Sequence, residues 1–227
     1  MSISSNLEKI RSQIDLAALT AGRDPSGIRL VAVSKTKPAA MVDEAAEAGQ
    51  FVFGENYVQE FVAKAAEVKS EVEWHFIGHL QSNKVKQIAG MVSLIHSVDR
   101  FSLAEEIDRQ WGRLGLVCNI LIQVNVSGEA TKSGTTSQEA RELVRQVAAL
   151  QNVRICGLMT MPPFFDDPEA ARPYFRELRT LAREIELLDI PRVSMKELSM
   201  GMSGDFEVAV EEGATLVRIG SAIFGSR

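Results

Sequence analysis

The feature of this sequence that most constrains its fold is a repeated alternation of short apolar runs with longer helical stretches. A short apolar run bounded by polar and turn residues is typical of a buried strand. The predicted strands lie near residues 29–34, 51–54, 74–77, 92–96, 116–124, 153–158, 195–198 and 215–219. The predicted helices lie at about 38–48, 56–69, 82–89, 100–112, 137–149, 168–189, 204–212 and from 221 onward. Because every strand is followed by a helix, the pattern predicts parallel strands joined by right-handed crossovers.

Eight such units in a chain of 227 residues predict a closed (β/α)8 barrel, the TIM barrel, at the short end of its usual size. A doubly wound open α/β sheet is the alternative. An amphipathic helix precedes the first strand, with Leu7 and Ile14 on one face, and Ser5 and Glu8 are predicted to form its capping box. Since no Pro/Gly-rich linker divides the chain, residues 1–227 are expected to form a single domain.

The composition narrows the function classes. A net charge of −5 argues against a protein that binds nucleic acid or anionic membranes nonspecifically. The N-terminus carries no signal-like segment, and no apolar run approaches the roughly 20 residues that cross a bilayer, so a cytoplasmic location is expected. Cys118 and Cys156 lie in apolar stretches and are predicted to be core residues without a disulfide.

The loops that follow the predicted strands gather polar and small residues, and in a barrel these loops form the ligand-binding face. In "SMGMSGD", Ser203 and Gly204 precede a helix, and in "RIGSAIFG", Gly220 and Ser221 begin another. Helix N–H groups favour a phosphate and glycines permit its close approach, and loops 7 and 8 of a barrel are its habitual location. The alternative is that both serines are ordinary N-caps and the glycines are turn residues.

A basic side chain, Arg218, interrupts a predicted buried strand. Arg218 lies within the apolar "TLVRIG", where an unpaired charge would cost several kcal/mol. It therefore meets either a ligand atom, such as a ring nitrogen, or a strand acid such as Glu197, and spacing does not decide between them.

Lys35, in "LVAVSKTKP", comes just after strand 1, which closes against strand 8 in a barrel. It is either a solvated loop residue or an amine within reach of a ligand held at loops 7 and 8, where it could form a Schiff base. Pyridoxal phosphate (PLP) combines an aldehyde, a ring nitrogen and a phosphate. Lys37 precedes Pro38 and is predicted to face solvent.

Other chemistries find little support in the sequence. His75 and His79 would lie roughly 13 Å apart along an extended strand, so these two and His96 are predicted to be core or loop residues and no metal site is expected. The chain contains no G-x-S-x-G elbow, no Walker phosphate loop and no G-x-G-x-x-G motif after a strand.

The motifs "LVAVSKTKP", "FGENYVQE", "WHFIG", "LQSNK", "HSVD", "GLMTM", "LSMGMSGD" and "VRIGSAIFG" occur in this order from end to end. In combination they resemble the PLP homeostasis protein family, which is similar to the N-terminal barrel of alanine racemase. The resemblance implies that Lys35 carries PLP as a Schiff base and that Arg218 faces the pyridine nitrogen. It also implies that Asn56 lies beside the cofactor, and that its phosphate is held by the residues Ser203, Gly204, Gly220 and Ser221. His79 departs from the family pattern, in which a proline is usual.

The resemblance leads us to expect a protein that buffers or delivers PLP within vitamin B6 metabolism and has no catalytic residues of its own. Racemisation normally needs a base on each face of the substrate carbon. A tyrosine could be one of these bases, but Tyr57, one of the two tyrosines, is expected to be a packing residue. The alternative is a PLP-dependent amino-acid racemase or related enzyme that uses Lys35 as a base. The expected partners are PLP and PLP-dependent apoenzymes, and the chain is expected to be monomeric.

Overall fold

The computed structural model describes residues 2–129 and 132–225, and contains the predicted closed barrel. Each strand pairs in parallel with the next one along the chain, and β8 pairs with β1, so the alternative of an open sheet is wrong. The strands are β1 (Arg29–Val33), β2 (Val52–Glu55), β3 (Glu73–Phe76), β4 (Leu94–Val98), β5 (Cys118–Gln123), β6 (Val153–Met159), β7 (Val193–Ser199) and β8 (Leu216–Ile219). Residues 130 and 131, in the predicted loop 5, lie outside the described residues.

The helices surround the barrel and are mostly shorter than the sequence predicted. They are α1 (Ile3–Thr20), α2 (Ala39–Glu47), α3 (Val58–Glu67), α4 (Val85–Ile88), α5 (Phe101–Arg113), α6 (Ala140–Ala148), α7 (Arg172–Glu186), α8 (Phe206–Glu211) and α9 (Ser221–Phe224). Single 3₁₀ turns precede β1, α4 and α7 at residues 25–27, 82–84 and 168–171. Among the described residues no helix is long and apolar enough to cross a membrane.

The capping box predicted at the start of α1 is wrong. The helix begins three residues earlier than expected, because the Ser2 side chain accepts a hydrogen bond from the Ser5 backbone N–H and caps it. Ser5 is therefore inside the first turn rather than ahead of it. The predicted apolar face is confirmed, since Leu7 and Ile14 are buried.

The hydrophobic residues form an outer layer and a smaller inner one. The outer layer lies between the strands and the helices and contains most of the buried apolar side chains. The inner layer, within the barrel, consists of Val31, Leu94, Leu121, Met159 and Leu216. Both cysteines are free thiols. Cys118 is a buried core residue, as predicted, whereas Cys156 is half-buried and packs against the inner layer. The interior above and below the inner layer is polar, which places hydrogen-bonding groups at the carboxyl ends of the strands.

Candidate functional site

A cavity of about 360 Å³ opens at the carboxyl ends of the strands, within the usual size range of small-molecule sites. All seven residues that the resemblance associates with PLP line it: Lys35, Asn56, Ser203, Gly204, Arg218, Gly220 and Ser221. The sequence thus brings together, at one end of the barrel, residues that are up to 186 positions apart from Lys35 to Ser221. Lys37 and Tyr57 do not line this cavity.

Lys35 lies in a tight turn after β1 that is fixed on both sides. The Lys64 ammonium donates a hydrogen bond of 2.6 Å to the Ser34 carbonyl, and the Glu60 carboxylate accepts one from the Thr36 backbone N–H. Thr36 has a φ of 63°, which a β-branched residue rarely adopts and which costs of order 1–3 kcal/mol. The surrounding contacts therefore hold a strained turn that directs Lys35 into the cavity.

The turn rests on an ion-pair cluster formed by the buried Glu55 and Lys64 and the partly exposed Glu60. The Lys64 Nζ lies 2.5 Å from Glu55 Oε1 and 2.9 Å from Glu60 Oε1. Burial raises the pKa of Glu55, although hydrogen bonds and charge from Lys64 oppose that effect. Glu55 Oε2 is buried without a hydrogen-bond partner in the described residues. Sequence reasoning missed this cluster, because Glu60 and Lys64 resemble the solvated charges of any surface helix.

Loops 7 and 8 meet at the edge of the cavity, where the Ser203 and Ser221 hydroxyl oxygens lie 3.3 Å apart. Neither serine is an N-cap, so that alternative is wrong: Asp205 caps α8 and Gly220 caps α9. Gly220 lies close to β1, since an added Cβ would lie 3.0 Å from the Val33 carbonyl oxygen.

Next to these loops, the Asp205 carboxylate accepts a hydrogen bond of 2.6 Å from the Met202 N–H. Burial raises the pKa of this carboxyl. Asp205 fixes loop 7, so that the Ser203 hydroxyl and the backbone of Ser203 and Gly204 stay at the cavity wall.

Arg218 forms the buried, positively charged part of the cavity floor, with 4% of its surface exposed. Its guanidinium donates to the Ser199 hydroxyl and, at 2.9 Å, to the Thr160 carbonyl. In the part of the chain that the structure describes Arg218 makes no ion pair, and the alternative of a salt bridge to Glu197 is wrong, because Glu197 pairs with Arg29 at 2.9 Å. Burial lowers the pKa of Arg218 to about 10, so the side chain stays charged at neutral pH.

Asn56 enters the cavity from the end of β2 and carries an unpaired polar atom. Its Oδ1 is buried and has no hydrogen-bond partner among residues 2–129 and 132–225, and a buried orphan of this kind marks a place for a ligand group. Gly78 makes this position possible, because a Cβ there would lie 2.2 Å from the Asn56 carbonyl oxygen.

One wall of the cavity is apolar and was not predicted. Loops 6 and 7 supply Met161, Phe164, Phe165 and Met202. Phe164 is 84% exposed, and the Phe165 ring stacks on Tyr174 with centroids 5.8 Å apart. The apolar "MPPFF" that follows β6 is the signal that could have revealed this wall.

The histidines and Tyr57 complete the comparison with the sequence. His75 and His96 are buried inside the barrel and His79 is exposed, which confirms the prediction of core and loop residues. No cluster of three or more potential metal ligands occurs among the described residues. Tyr57 is 52% exposed, so the prediction that it is a packing residue is wrong. Lys37, which was predicted to face solvent, is half-buried.

Comparisons with known proteins agree on one family. Residues 5–227 match the family model of the alanine racemase N-terminal domain. The chain is 46% identical to the PLP homeostasis protein of Aquifex aeolicus, over 100% of this chain and 99% of that protein. It is 39% identical to PipY of Synechococcus elongatus PCC7942, whose structure has PLP bound, with a TM-score of 0.87 over 99% of this chain and 100% of PipY.

A more distant likeness concerns the fold alone. Alanine racemase from Corynebacterium glutamicum is 16% identical, with a TM-score of 0.69 over 97% of this chain and 62% of that chain. The barrel of that enzyme is therefore similar to this one, and almost two fifths of the racemase chain has no counterpart here. From the family match and the full-length relatives, this chain belongs to the PLP homeostasis protein family, a group with the barrel of the alanine racemase N-terminal domain.

Proposed function

We propose that this protein binds PLP covalently on Lys35 and acts in PLP homeostasis by buffering or delivering the cofactor. The observation that carries the proposal is the convergence of a primary amine, a buried guanidinium and two serine-glycine loops on one cavity. The name of the Aquifex aeolicus relative and the PLP in the PipY structure support the same ligand.

The residues of the cavity fit the chemical groups of PLP. Ser203, Gly204, Gly220 and Ser221 supply hydroxyls and closely approachable backbone for a phosphate. The unpaired Oδ1 of Asn56 can accept a hydrogen bond from a ring substituent. PLP itself supplies an aldehyde that a primary amine can attack and a ring that can withdraw electrons.

Lys35 is the proposed point of attachment. Condensation of its neutral Nζ amine with the aldehyde would replace the aldehyde C=O bond by a C=N bond and release the oxygen with the two amine hydrogens as water, without a change in oxidation state. The turn held by Lys64 and Glu60 fixes the backbone on both sides of this lysine, so that attachment orders only its own side chain.

Arg218 restrains catalysis in this proposal. A cation that faces the pyridine nitrogen disfavours protonation of that nitrogen and weakens the ring as an electron sink. Arg218 stays charged at neutral pH, and its hydrogen-bond partners in the described residues are a hydroxyl and a carbonyl. This arrangement suits a protein that holds PLP more than one that uses it.

A PLP-dependent racemase or related enzyme with Lys35 as a base is the second candidate. The observation that favours it is Asp205, which also lines the cavity and whose pKa burial raises. A carboxyl with a raised pKa at the cavity wall is a candidate general acid or base. Within the described residues, the other titratable side chains at the cavity are Lys35 and Arg218.

Absorbance spectroscopy tests the proposal. The purified protein mixed with PLP is expected to show the visible or near-ultraviolet band of lysine-bound cofactor, and Lys35→Ala should lose it. Lys37→Ala is the matched control and should keep the band. An unchanged band in Lys35→Ala would contradict the covalent role.

Incubation of the PLP-loaded protein with single amino acids in deuterated water separates the two candidates. A homeostasis protein should exchange the Cα hydrogen far more slowly than an enzyme, for which turnover is on the order of 1 s⁻¹ or faster. Exchange at that rate, lost in Asp205→Asn, would favour the enzyme.

A monomeric state, a cytoplasmic location and transfer to apoenzymes stay predictions, as does a single domain over residues 1–227.

A further inference from the structure

A chain of polar side chains crosses the interior of the barrel from its lower end to the cavity floor. Glu73 Oε1 lies 2.9 Å from His75 Nε2, and His75 Nδ1 lies 2.9 Å from His96 Nε2. His96 Nδ1 lies 2.8 Å from the Ser199 hydroxyl, which also accepts from Arg218. The side chains come from four strands, β3, β4, β7 and β8.

We name this series of hydrogen-bonded side chains the Glu73–Arg218 relay, after its two ends. The exposure of its members to solvent differs from one end to the other. His75, His96 and Ser199 are almost completely buried, and Arg218 lies at the cavity floor. The Glu73 side chain is 40% exposed where β3 begins. The relay therefore connects solvent at the lower end of the barrel with the proposed cofactor site at the upper end.

Neutral histidines give every hydrogen bond in the relay one direction. An ionised carboxylate can only accept, so Glu73 accepts from His75 Nε2–H. The Nδ1 atom of a neutral His75 must then accept from His96 Nε2–H, and the Nδ1 atom of a neutral His96 must accept from the Ser199 hydroxyl, whose oxygen also accepts from Arg218. With both rings neutral, each carries its proton on Nε2.

The electrostatics agree with this assignment. Burial lowers the pKa of both His75 and His96, which favours their neutral forms. The hydrogen bond from His75 is the largest cause that lowers the pKa of Glu73, to about 2, so this carboxyl is ionised at neutral pH. Besides the relay itself, the charges that act on the two rings belong to Arg29 of β1 and Glu197 of β7.

We propose that His75, His96 and Ser199 are positioning residues for Arg218, through a relay of fixed direction that ends at Glu73. The inference rests on the proposed function, because Arg218 matters here as the group that faces PLP. Ser199 orients one end of the guanidinium and Thr160 the other. With its hydrogen directed at His96, the Ser199 oxygen presents a lone pair to Arg218 and holds it in place without neutralising its charge.

The direction of the relay also links its ends. If Glu73 and His75 together gain one proton, the His75 Nδ1–H donates to His96, which in turn donates to Ser199. The Ser199 hydrogen then loses its acceptor, and the oxygen receives two donors instead of one. Proton uptake at the lower end of the barrel therefore alters the contact that positions Arg218.

The first test needs no PLP. In the full-length chain labelled with ¹⁵N-histidine, nitrogen chemical shifts at pH 7 should show both buried rings as Nε2–H tautomers. Ser199→Ala should shift the His96 Nδ1 resonance, because that nitrogen loses its hydrogen-bond donor, whereas Ser97→Ala should leave the spectrum unchanged. Ser97 is the matched control, because it is a buried serine on β4 whose hydroxyl has no partner in the described residues. A charged or Nδ1–H ring in the wild type would overturn the relay.

The second test uses the PLP-loaded protein. Ser199→Ala should weaken PLP binding about ten-fold, the size of one hydrogen bond to a charged group, and should shift the absorbance maximum, while Ser97→Ala changes neither. If Ser199→Ala does not fold, Glu73→Ala replaces it at a partly exposed site and should alter the histidine tautomers and the absorbance maximum. Wild-type affinity and absorbance in these variants would overturn the positioning role. Failure of the wild type to bind PLP would refute the proposed function alone, since the tautomers are read without PLP.

Discussion

Lys64→Met tests the ion-pair cluster that supports the Lys35 turn. Methionine keeps most of the side-chain length but removes the charge that faces Glu55. Lys64 is 5% exposed and Glu55 0%, so little water can replace the lost ammonium. Among its described partners, the carboxylate then keeps only the Ser34 hydroxyl at 2.7 Å. We expect Glu55 to take up a proton in the folded variant.

The size of the loss in folding stability follows from this protonation of Glu55. Keeping the carboxyl neutral costs at most about 1.36 kcal/mol for each pH unit above an ordinary glutamate pKa of about 4.3. That limit is about 3.7 kcal/mol at pH 7 and about 1 kcal/mol at pH 5. Loss of the hydrogen bond from Lys64 to the Ser34 carbonyl adds about 1 kcal/mol at either pH.

The sign of the pH dependence follows from the direction of the pKa change. In the variant, the folded-state pKa of Glu55 lies above its unfolded value, so the folded state binds more protons. The penalty is therefore absent below the unfolded pKa and grows as the pH rises. Between pH 5 and pH 7 the loss of stability relative to the wild type should increase by up to about 2.7 kcal/mol.

Urea unfolding of both proteins at pH 5 and pH 7 measures this difference. Lys86→Met is the matched control, since Lys86 is exposed on α4, and should change stability by no more than about 0.5 kcal/mol. The double variant Lys64→Met/Glu55→Gln should lose the extra pH dependence, because glutamine does not titrate. A penalty that is the same at both pH values, or one that persists with its pH dependence in the double variant, would refute the reasoning.

Two further predictions concern packing and a surface network. Gly78→Ala places a Cβ 2.2 Å from the Asn56 carbonyl oxygen, so it should cost about 1–3 kcal/mol in urea unfolding and weaken PLP binding. Gly27→Ala, with nothing within 4 Å, should do neither. Burial raises the pKa of Glu212, but hydrogen bonds from arginines of α7 outweigh it and hold the pKa below 4.5. Glu212→Gln should therefore cost about 1.5–3 kcal/mol at pH 7, and its difference from the wild type should shrink as the pH falls below 4.5, since the wild type loses this stabilisation on protonation.

The fold was predictable because the strand–helix alternation does not depend on the detail of any one element. Two predicted helix starts were wrong, each for a different reason. Ser2 and Ser5 can both cap a helix, and the structure uses Ser2. Helix α3 begins at Val58 rather than near residue 56, since Asn56 leaves the helix register to enter the cavity.

The site was predictable where a residue type conflicts with its local pattern. Lys35 at the end of an apolar strand and Arg218 within one are conflicts that sequence alone reveals. Lys64 presents no such conflict, because lysine is common on helices and its burial depends on how α3 packs against β2. The histidine pair was missed for a related reason, since spacing was considered along one strand, whereas His75 and His96 meet across neighbouring strands.

The polar interior explains how one barrel can bury so many hydrogen-bonding groups and still hold a cation for a ligand. If a carboxylate partnered Arg218, the pair would be neutral and the guanidinium would have little charge left for a ring nitrogen. Serine and a backbone carbonyl satisfy its donors instead. The Asp205 carboxyl acts on Arg218 through space without pairing with it, and the relay ends at Glu73, where solvent reaches the carboxylate. Because Glu73 is partly exposed, the relay ends on a carboxylate that costs less desolvation than a fully buried one, and the neutral partners leave Arg218 fixed in position and charged at the cavity floor.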